Sequence, residues 1–157
     1  MKLFVVSLVF LIASVLDPAC ESGSKLPEQM PDDLKVVLAI RSKDSPRISY
    51  SIDASTLEVG RGGGWHNRST TTPRIPREAV EKLYEALRQN RFDRIENFSS
   101  SDNHPVDRDL SITVSFGPTS ITVYDGLFHL SPEDGQRFES VRQAVLDVAK
   151  LEKPPSE

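Results

Sequence analysis

Apolar and polar residues alternate at three places in the first half of the chain, for example around Val36 and Leu38. Successive side chains of a β-strand point to opposite faces, so a period of two indicates strands with one buried face. The three stretches cover residues 35–41, 47–53 and 56–59, with connections between them. We therefore expect a meander of three strands.

A second pair of strands is predicted further along the chain. Residues 110–116 alternate in the same way, and residues 121–124 return after the sequence Gly117-Pro118-Thr119. Glycine and proline between two alternating stretches favour a turn. This region therefore predicts a hairpin.

Two amphipathic helices are predicted, one before this hairpin and one after it. Apolar residues recur at helical spacing in residues 80–87, with Pro76 near the first turn. The second helix opens at Ser131, which can cap free amides, and at Pro132, which suits the first helical position. The apolar face of the second helix is predicted to comprise Phe138, Val141, Val145 and Val148.

These elements predict a single α+β domain over residues 34–151, in the order βββ-α-ββ-α. Its expected architecture is an antiparallel sheet of about five strands with two amphipathic helices on one face. We expect residues 60–76, between the third strand and the first helix, to form a long loop. Residues 152–157 contain two prolines and are predicted to be a flexible tail.

The first 20 residues have the form of an export signal. Lys2 precedes an uncharged apolar run over residues 3–16. A membrane-spanning helix needs about 20 apolar residues, so this run predicts a secretory signal peptide instead of a permanent anchor. The expected location is outside the cytoplasm: secreted, periplasmic or lipid-anchored at the cell envelope.

Cys20 leaves two ways of maturation open. It is the only cysteine and it follows the apolar run, where bacterial lipoproteins carry their lipid-modified residue. The alternative is ordinary signal cleavage near Ser22 to Ser24. In both cases the polar residues 21–33, with two prolines, are predicted to be a linker. Contact with a membrane is expected only through a lipid anchor on Cys20.

Composition excludes several classes of function. The net charge is −4, which argues against general nucleic-acid binding. The only cysteine lies in the export region, so the folded part is expected to contain no disulfide.

No chemical motif predicts catalysis or metal binding. The histidines, at positions 66, 104 and 129, lack the spacing of a metal site. The glycines of residues 60–64 are not followed by the lysine and hydroxyl residue of a P-loop, and no G-x-S-x-G elbow is present. We expect no cofactor and no enzymatic activity.

The predicted loop is the most distinctive segment of the chain. It contains three consecutive glycines and the only tryptophan, and it has no acidic residue between Val59 and Arg77. Such a basic segment attracts anionic groups, so we predict that it contacts a protein or an anionic envelope component. The alternatives are that the arginines pair with nearby acids and that the tryptophan packs against the sheet. The candidate contact residues are Arg61, Trp65, Arg68, Arg74 and Arg77.

The order of elements resembles that of small bacterial exported domains of unknown function, and it is similar to that of compact inhibitors of thermolysin-like proteases. The likeness rests on residues 75–78 leading into the first helix, on Phe92 just after it, and on residues 120–126 before the last helix. The resemblance implies an α+β fold and, for the inhibitor group, inhibition of a secreted protease. A third hypothesis is a hydrolase whose site has no sequence signature.

Overall fold

A computed structural model describes residues 24–42, 45–63, 66–97, 108–125 and 130–151. The chain forms an α+β fold with six strands and two α-helices. The strands are β1 (Lys35–Ser42), β2 (Ser45–Ile52), β3 (Thr56–Gly63), β4 (His66–Pro73), β5 (Arg108–Phe116) and β6 (Thr119–Asp125). The helices are α1 (Arg77–Gln89) and α2 (Pro132–Ala149), and a short 3₁₀ turn, Phe92–Arg94, follows α1.

All six strands form one antiparallel sheet in the order β4-β3-β2-β1-β5-β6. The predicted α+β class and antiparallel sheet are confirmed, but the sheet has six strands where the sequence predicted about five. The predicted loop over residues 60–76 is wrong, because β3 continues to Gly63 and His66–Pro73 forms a further strand. Apolar periodicity missed β4 because residues 66–73 contain no aliphatic residue.

One face of the sheet and both helices share a single hydrophobic cluster. Val36 and Leu38 of the central strand β1 are fully buried, and their register partners on β5 are Val114 and Ile112. The predicted apolar face of α2 is confirmed, since all four of its members are buried. The buried residues of α1 are Val80, Leu83, Tyr84 and Leu87.

The start of α2 is stabilised as the sequence predicted. Ser131 Oγ accepts a hydrogen bond from the backbone N–H of Asp134 at 3.1 Å, and Pro132 occupies the first turn. A cap of this kind satisfies one of the free amide groups at a helix start. It contributes about 1 kcal/mol to stability.

Residues 24–33 of the predicted linker are docked on the domain. Leu26 is buried in the common hydrophobic cluster. Tyr84 Oη donates to the carbonyl oxygen of Pro27 at 2.7 Å, and the backbone N–H of Lys25 donates to Asp93 Oδ2 at 2.7 Å. Burial raises the pKa of Tyr84. We call residues 24–30 the strap.

Asp53 organises the turn between β2 and β3. Its carboxylate accepts hydrogen bonds from Thr56 Oγ1 at 2.6 Å and from the backbone N–H groups of Ser55 and Thr56 at 2.9 and 2.7 Å. Partial burial tends to raise the pKa of Asp53, but these hydrogen bonds outweigh it and the pKa is lowered. The ionised form therefore stabilises the turn.

Replacing Leu26 with alanine should lower the free energy of unfolding by about 2 kcal/mol, because a buried leucine is lost from the core. The measurement is urea denaturation followed by circular dichroism. Gln29→Ala, at an exposed position of the same strap, is the matched control and should change stability by less than about 0.5 kcal/mol. Equal midpoints for the two variants would contradict a docked strap.

Asp53→Asn should make the domain less dependent on pH. A lowered pKa in the folded state means that the stabilisation by Asp53 is complete above the unfolded pKa of about 3.9 and is lost as the pH falls through the folded value. At pH 7 the variant should be about 1 kcal/mol less stable than the natural chain. This gap should close below pH 4 in thermal melts, whereas Asp32→Asn, at an exposed position, should show no such convergence.

Candidate functional site

β4 is an edge of the sheet, and its backbone has a strand neighbour on one side only. The carbonyl oxygen of Thr56 accepts a hydrogen bond from Asp53 N–H at 3.1 Å, so the backbone groups of Thr56 face β2. The backbone groups of successive residues point to alternate sides of a strand. The N–H and C=O groups of Val59, three residues after Thr56, therefore face β4 and bond Thr70, the register partner of Val59. Ser69 and Thr71 therefore direct their N–H and C=O groups outward.

The outer side of β4 can accept another strand. Ser69 and Thr71 are exposed, and neither forms a side-chain hydrogen bond to a described residue. Pro73 lies two residues beyond Thr71, at another outward position, where its missing N–H costs no bond within the sheet. An uncovered row of donors and acceptors on an edge strand is a template for pairing with a further strand.

The other edge of the sheet is closed locally. Asn97 Nδ2 donates to the carbonyl oxygen of Thr122 at 3.0 Å, and Asn97 Oδ1 accepts from the backbone N–H of Tyr124 at 2.9 Å. One side-chain amide thus bonds the outward C=O of Thr122 and the outward N–H of Tyr124, two of the groups that a neighbouring strand would bond. β6 is thereby protected in its middle, and the two edges of the sheet differ.

The five predicted contact residues do not form one patch. Arg61 is exposed on β3 and lies directly opposite Arg68 of β4 in the register. Arg74 follows β4 six residues after Arg68, a distance of about 20 Å along an extended strand. Trp65 lies outside the described residues.

The other two predicted arginines lie near the start of α1. Arg77 is the first residue of α1. Arg77 Nε forms an ion pair with Glu81 Oε1 at 2.8 Å, which agrees with the alternative that the arginines pair with nearby acids. Arg74 has a left-handed backbone with a φ of 65°, which costs a non-glycine residue about 1 kcal/mol. The position of the next residue accounts for this left-handed conformation. Ile75 is buried, and its N–H donates to the carbonyl oxygen of Ser55 at 3.0 Å.

A shallow depression of about 350 Å³ lies next to the β4 edge. We call it the β3 depression. Gly60 and Gly62 lie along β3 between Arg47 of β2 and Ser69 of β4. Its lining residues are Arg47, Ser49, Glu58, Gly60, Arg61, Gly62 and Ser69.

The glycines keep this depression open. A Cβ atom on Gly60 would lie 2.6 Å from Ser49 Oγ, so any larger residue requires the serine to move. Arg47 is exposed and forms no hydrogen bond or ion pair with a described residue. By register parity the face opposite the helices carries Arg47 and Glu58 together with several small polar residues, which are Ser49, Ser51, Ser69, Ser111 and Thr113.

The described residues contain no group of three side chains able to hold a metal ion, and no polar or charged residue among them is buried. Among these same residues, no helix has the length and apolar character needed to cross a membrane. Cys20 lies outside the described part of the chain, so its predicted lipidation stays a prediction, and His104 and His129 lie outside it as well.

Sequence reasoning missed the residues that distinguish the two edges. The sequence Asn97-Phe98-Ser99 matches an N-glycosylation pattern, but nothing in it indicates a contact with β6. In the sequence pattern, Arg47 is only a polar position of the alternating stretch 47–53, and Glu58 is a polar position of the stretch 56–59. Their significance comes from the register of β2, β3 and β4, and no local pattern reveals that register.

Replacing Asn97 with alanine should open the β6 edge. We expect the free energy of unfolding to fall by about 1 to 2 kcal/mol because two hydrogen bonds are lost, and we expect concentration-dependent association through the exposed strand. Sedimentation velocity at two protein concentrations measures the association. Asn90→Ala, which removes a hydrogen bond to the carbonyl oxygen of Ala86 on α1, is the control and should remain monomeric.

No model of a known protein family matches the chain, and no curated protein matches it.

Proposed function

We propose that this protein is a non-enzymatic domain that acts outside the cytoplasm and binds a partner protein by adding one strand of that partner to β4. The observation that carries the proposal is the difference between the two sheet edges. Asn97 bonds one outward C=O and one outward N–H of β6, while the outward groups of Ser69 and Thr71 on β4 have no such partner among the described side chains. Strand addition at a free edge is a common mode of peptide recognition.

The composition of β4 supports this mode of binding. Thr70 and Thr71 are β-branched, which favours the extended conformation. The strand has no charged side chain on the face of Ser69 and Thr71 to repel a neighbour. Main-chain hydrogen bonds would supply affinity, and the surrounding side chains would supply selectivity.

Basic residues near the strand favour an anionic partner. The segment from Gly60 to Arg77 contains four arginines and no acidic residue. Such a basic segment attracts anionic groups.

Export is the other part of the proposal. The apolar run at the start of the chain supports secretion, with Cys20 as a site of lipid attachment or as part of the cleaved region. The domain would then be secreted, periplasmic or lipid-anchored, and it would meet its partner at the cell envelope or in the medium.

Proline substitution tests the β4 edge without breaking the sheet. Ser69→Pro removes an outward N–H and leaves the bonds between β3 and β4 intact, because Ser69 does not bond β3. Affinity capture with the mature domain, after mild cross-linking of native envelope and medium, should recover one dominant partner. Ser69→Pro should reduce its recovery at least tenfold.

The matched control is Ser120→Pro, at an outward position of β6 on the other edge. It should retain the partner, and circular dichroism should show that both variants are folded. Undiminished capture by Ser69→Pro would overturn strand addition at β4. A captured protease would assign the role of an inhibitor, and failure to recover any protein with the natural domain would count against a protein partner.

A further inference from the structure

A groove with a volume of about 930 Å³ lies between the strap and α1. Ligand clefts in proteins measure about 300 to 1,000 Å³. Tyr84 and Arg88 of α1 fix the strap beside the groove, since they donate hydrogen bonds of 2.7 Å to the carbonyl oxygens of Pro27 and Glu28. Both walls of the groove are thus held in place by the fold. We call this feature the strap groove.

Two opposite charges line the strap groove without forming a pair. They belong to Glu28 of the strap and to Arg91, just after α1, and both residues are exposed. Neither side chain forms a hydrogen bond or an ion pair with a described residue. Arg88 connects their positions, because it lies three residues before Arg91 and its guanidinium group bonds the carbonyl oxygen of Glu28. The groove therefore presents one uncompensated cation and one uncompensated anion to a ligand.

The other charged side chains of the groove already interact with protein groups. They are Arg77, Glu81, Glu85, Arg88, Asp93 and Arg94. This set contains three cations and three anions, so its charges cancel. Arg91 and Glu28 therefore decide which charges the groove attracts, and they suit a ligand that has one anionic group and one cationic group.

The chemistry of these two side chains narrows the ligand. A guanidinium group can donate two parallel hydrogen bonds to a phosphate, and a carboxylate accepts hydrogen bonds from a primary ammonium group. Phosphoethanolamine carries both of these partners. Ser24 also lines the groove, and only three residues separate it from Cys20. A lipid on Cys20 would therefore hold the groove close to the headgroups of a bilayer.

We propose that the strap groove binds the phosphoethanolamine headgroup of a membrane lipid, with its phosphate on Arg91 and its ammonium group on Glu28. This site goes beyond strand addition, because it does not involve β4. Only the source of the headgroup rests on the proposed export and lipid attachment. A domain bound in this way would turn the strap and the end of α1 toward the bilayer.

Titration of the mature protein with soluble phosphoethanolamine tests the site without a membrane. The protein carries Cys20→Ser so that no lipid is attached, and two-dimensional NMR spectra record the backbone amide shifts. We expect saturable shifts in the strap and in residues 88–91. Ethanolamine and inorganic phosphate each offer only one of the two charges, so each should bind about fivefold more weakly than phosphoethanolamine.

Variants then assign each charge to its partner. Arg91→Gln should bind phosphoethanolamine no more tightly than ethanolamine, and Glu28→Gln should bind it no more tightly than inorganic phosphate. Lys82→Gln and Glu78→Gln are the matched controls, since both positions are exposed on α1 and neither lines the groove. Both controls should bind phosphoethanolamine as the natural residues do, and circular dichroism should show that all four variants are folded.

Vesicles distinguish a lipid headgroup from the free compound. The same protein should float with vesicles of phosphatidylethanolamine and phosphatidylcholine, and much less with phosphatidylcholine alone, whose quaternary ammonium group has no N–H to donate to Glu28. Glu28→Gln should remove this preference. Saturable binding of soluble phosphoethanolamine without a preference among the vesicles would overturn the lipid headgroup and assign the free compound as the ligand.

Other outcomes would overturn the site itself. These are the absence of saturable shifts, equal affinity for phosphoethanolamine and inorganic phosphate, or unchanged binding in Arg91→Gln or Glu28→Gln. None of them affects capture of a partner at β4, which is tested by Ser69→Pro, so the two proposals stand or fall separately.

Discussion

Burial of a single face of the sheet is the constraint on which the rest of the structure depends. Val36 and Leu38 of β1, with the apolar face of α2, form the centre of the hydrophobic cluster. Both helices contribute to this cluster from one face of the sheet. The two edges differ, because Asn97 bonds outward backbone groups of β6, whereas no described side chain bonds those of Ser69 and Thr71 on β4.

This arrangement leaves the polar face and the β4 edge available for binding. The helices and the core supply stability, and the described residues bury no polar or charged side chain. Residues on β2, β3 and β4 that face away from the helices can therefore change with little effect on the core. Such a division between a stabilising face and a face free to vary is what the proposed binding role requires.

The sequence predicted the elements whose pattern arises from burial. β1, β2, β5 and β6 alternate because one face of each strand packs against the core, and α2 begins at Ser131 because its hydroxyl caps an amide. β4 escaped prediction because its pairing uses backbone groups, which every residue has. Leu26 escaped it because a single apolar residue in a polar stretch has no period.

The site was harder to predict than the fold. The glycines and arginines make residues 60–77 distinctive in the sequence, but the predicted loop is wrong, and the structure places Arg61 on β3, Arg68 on β4 and Arg77 on α1. Arg47, Glu58 and Asn97 come from different parts of the chain. Strand register places Arg47 and Glu58 at the β3 depression, and a side-chain contact places Asn97 on β6. Interactions between distant segments leave no mark in a local sequence pattern.

If the chain is exported as proposed, the docked strap limits how it can be processed. Ser24 Oγ donates to Asp93 Oδ2 at 3.0 Å, and Leu26 is buried two residues later. A peptidase that cut after Leu26 would remove a core residue from the domain, whereas a cut near Ser22 to Ser24 would leave that residue in place. If Cys20 instead carries lipid, only three residues separate it from Ser24, a leash of about 14 Å at most between Cα atoms. The folded domain would then be held against the bilayer with little freedom to turn.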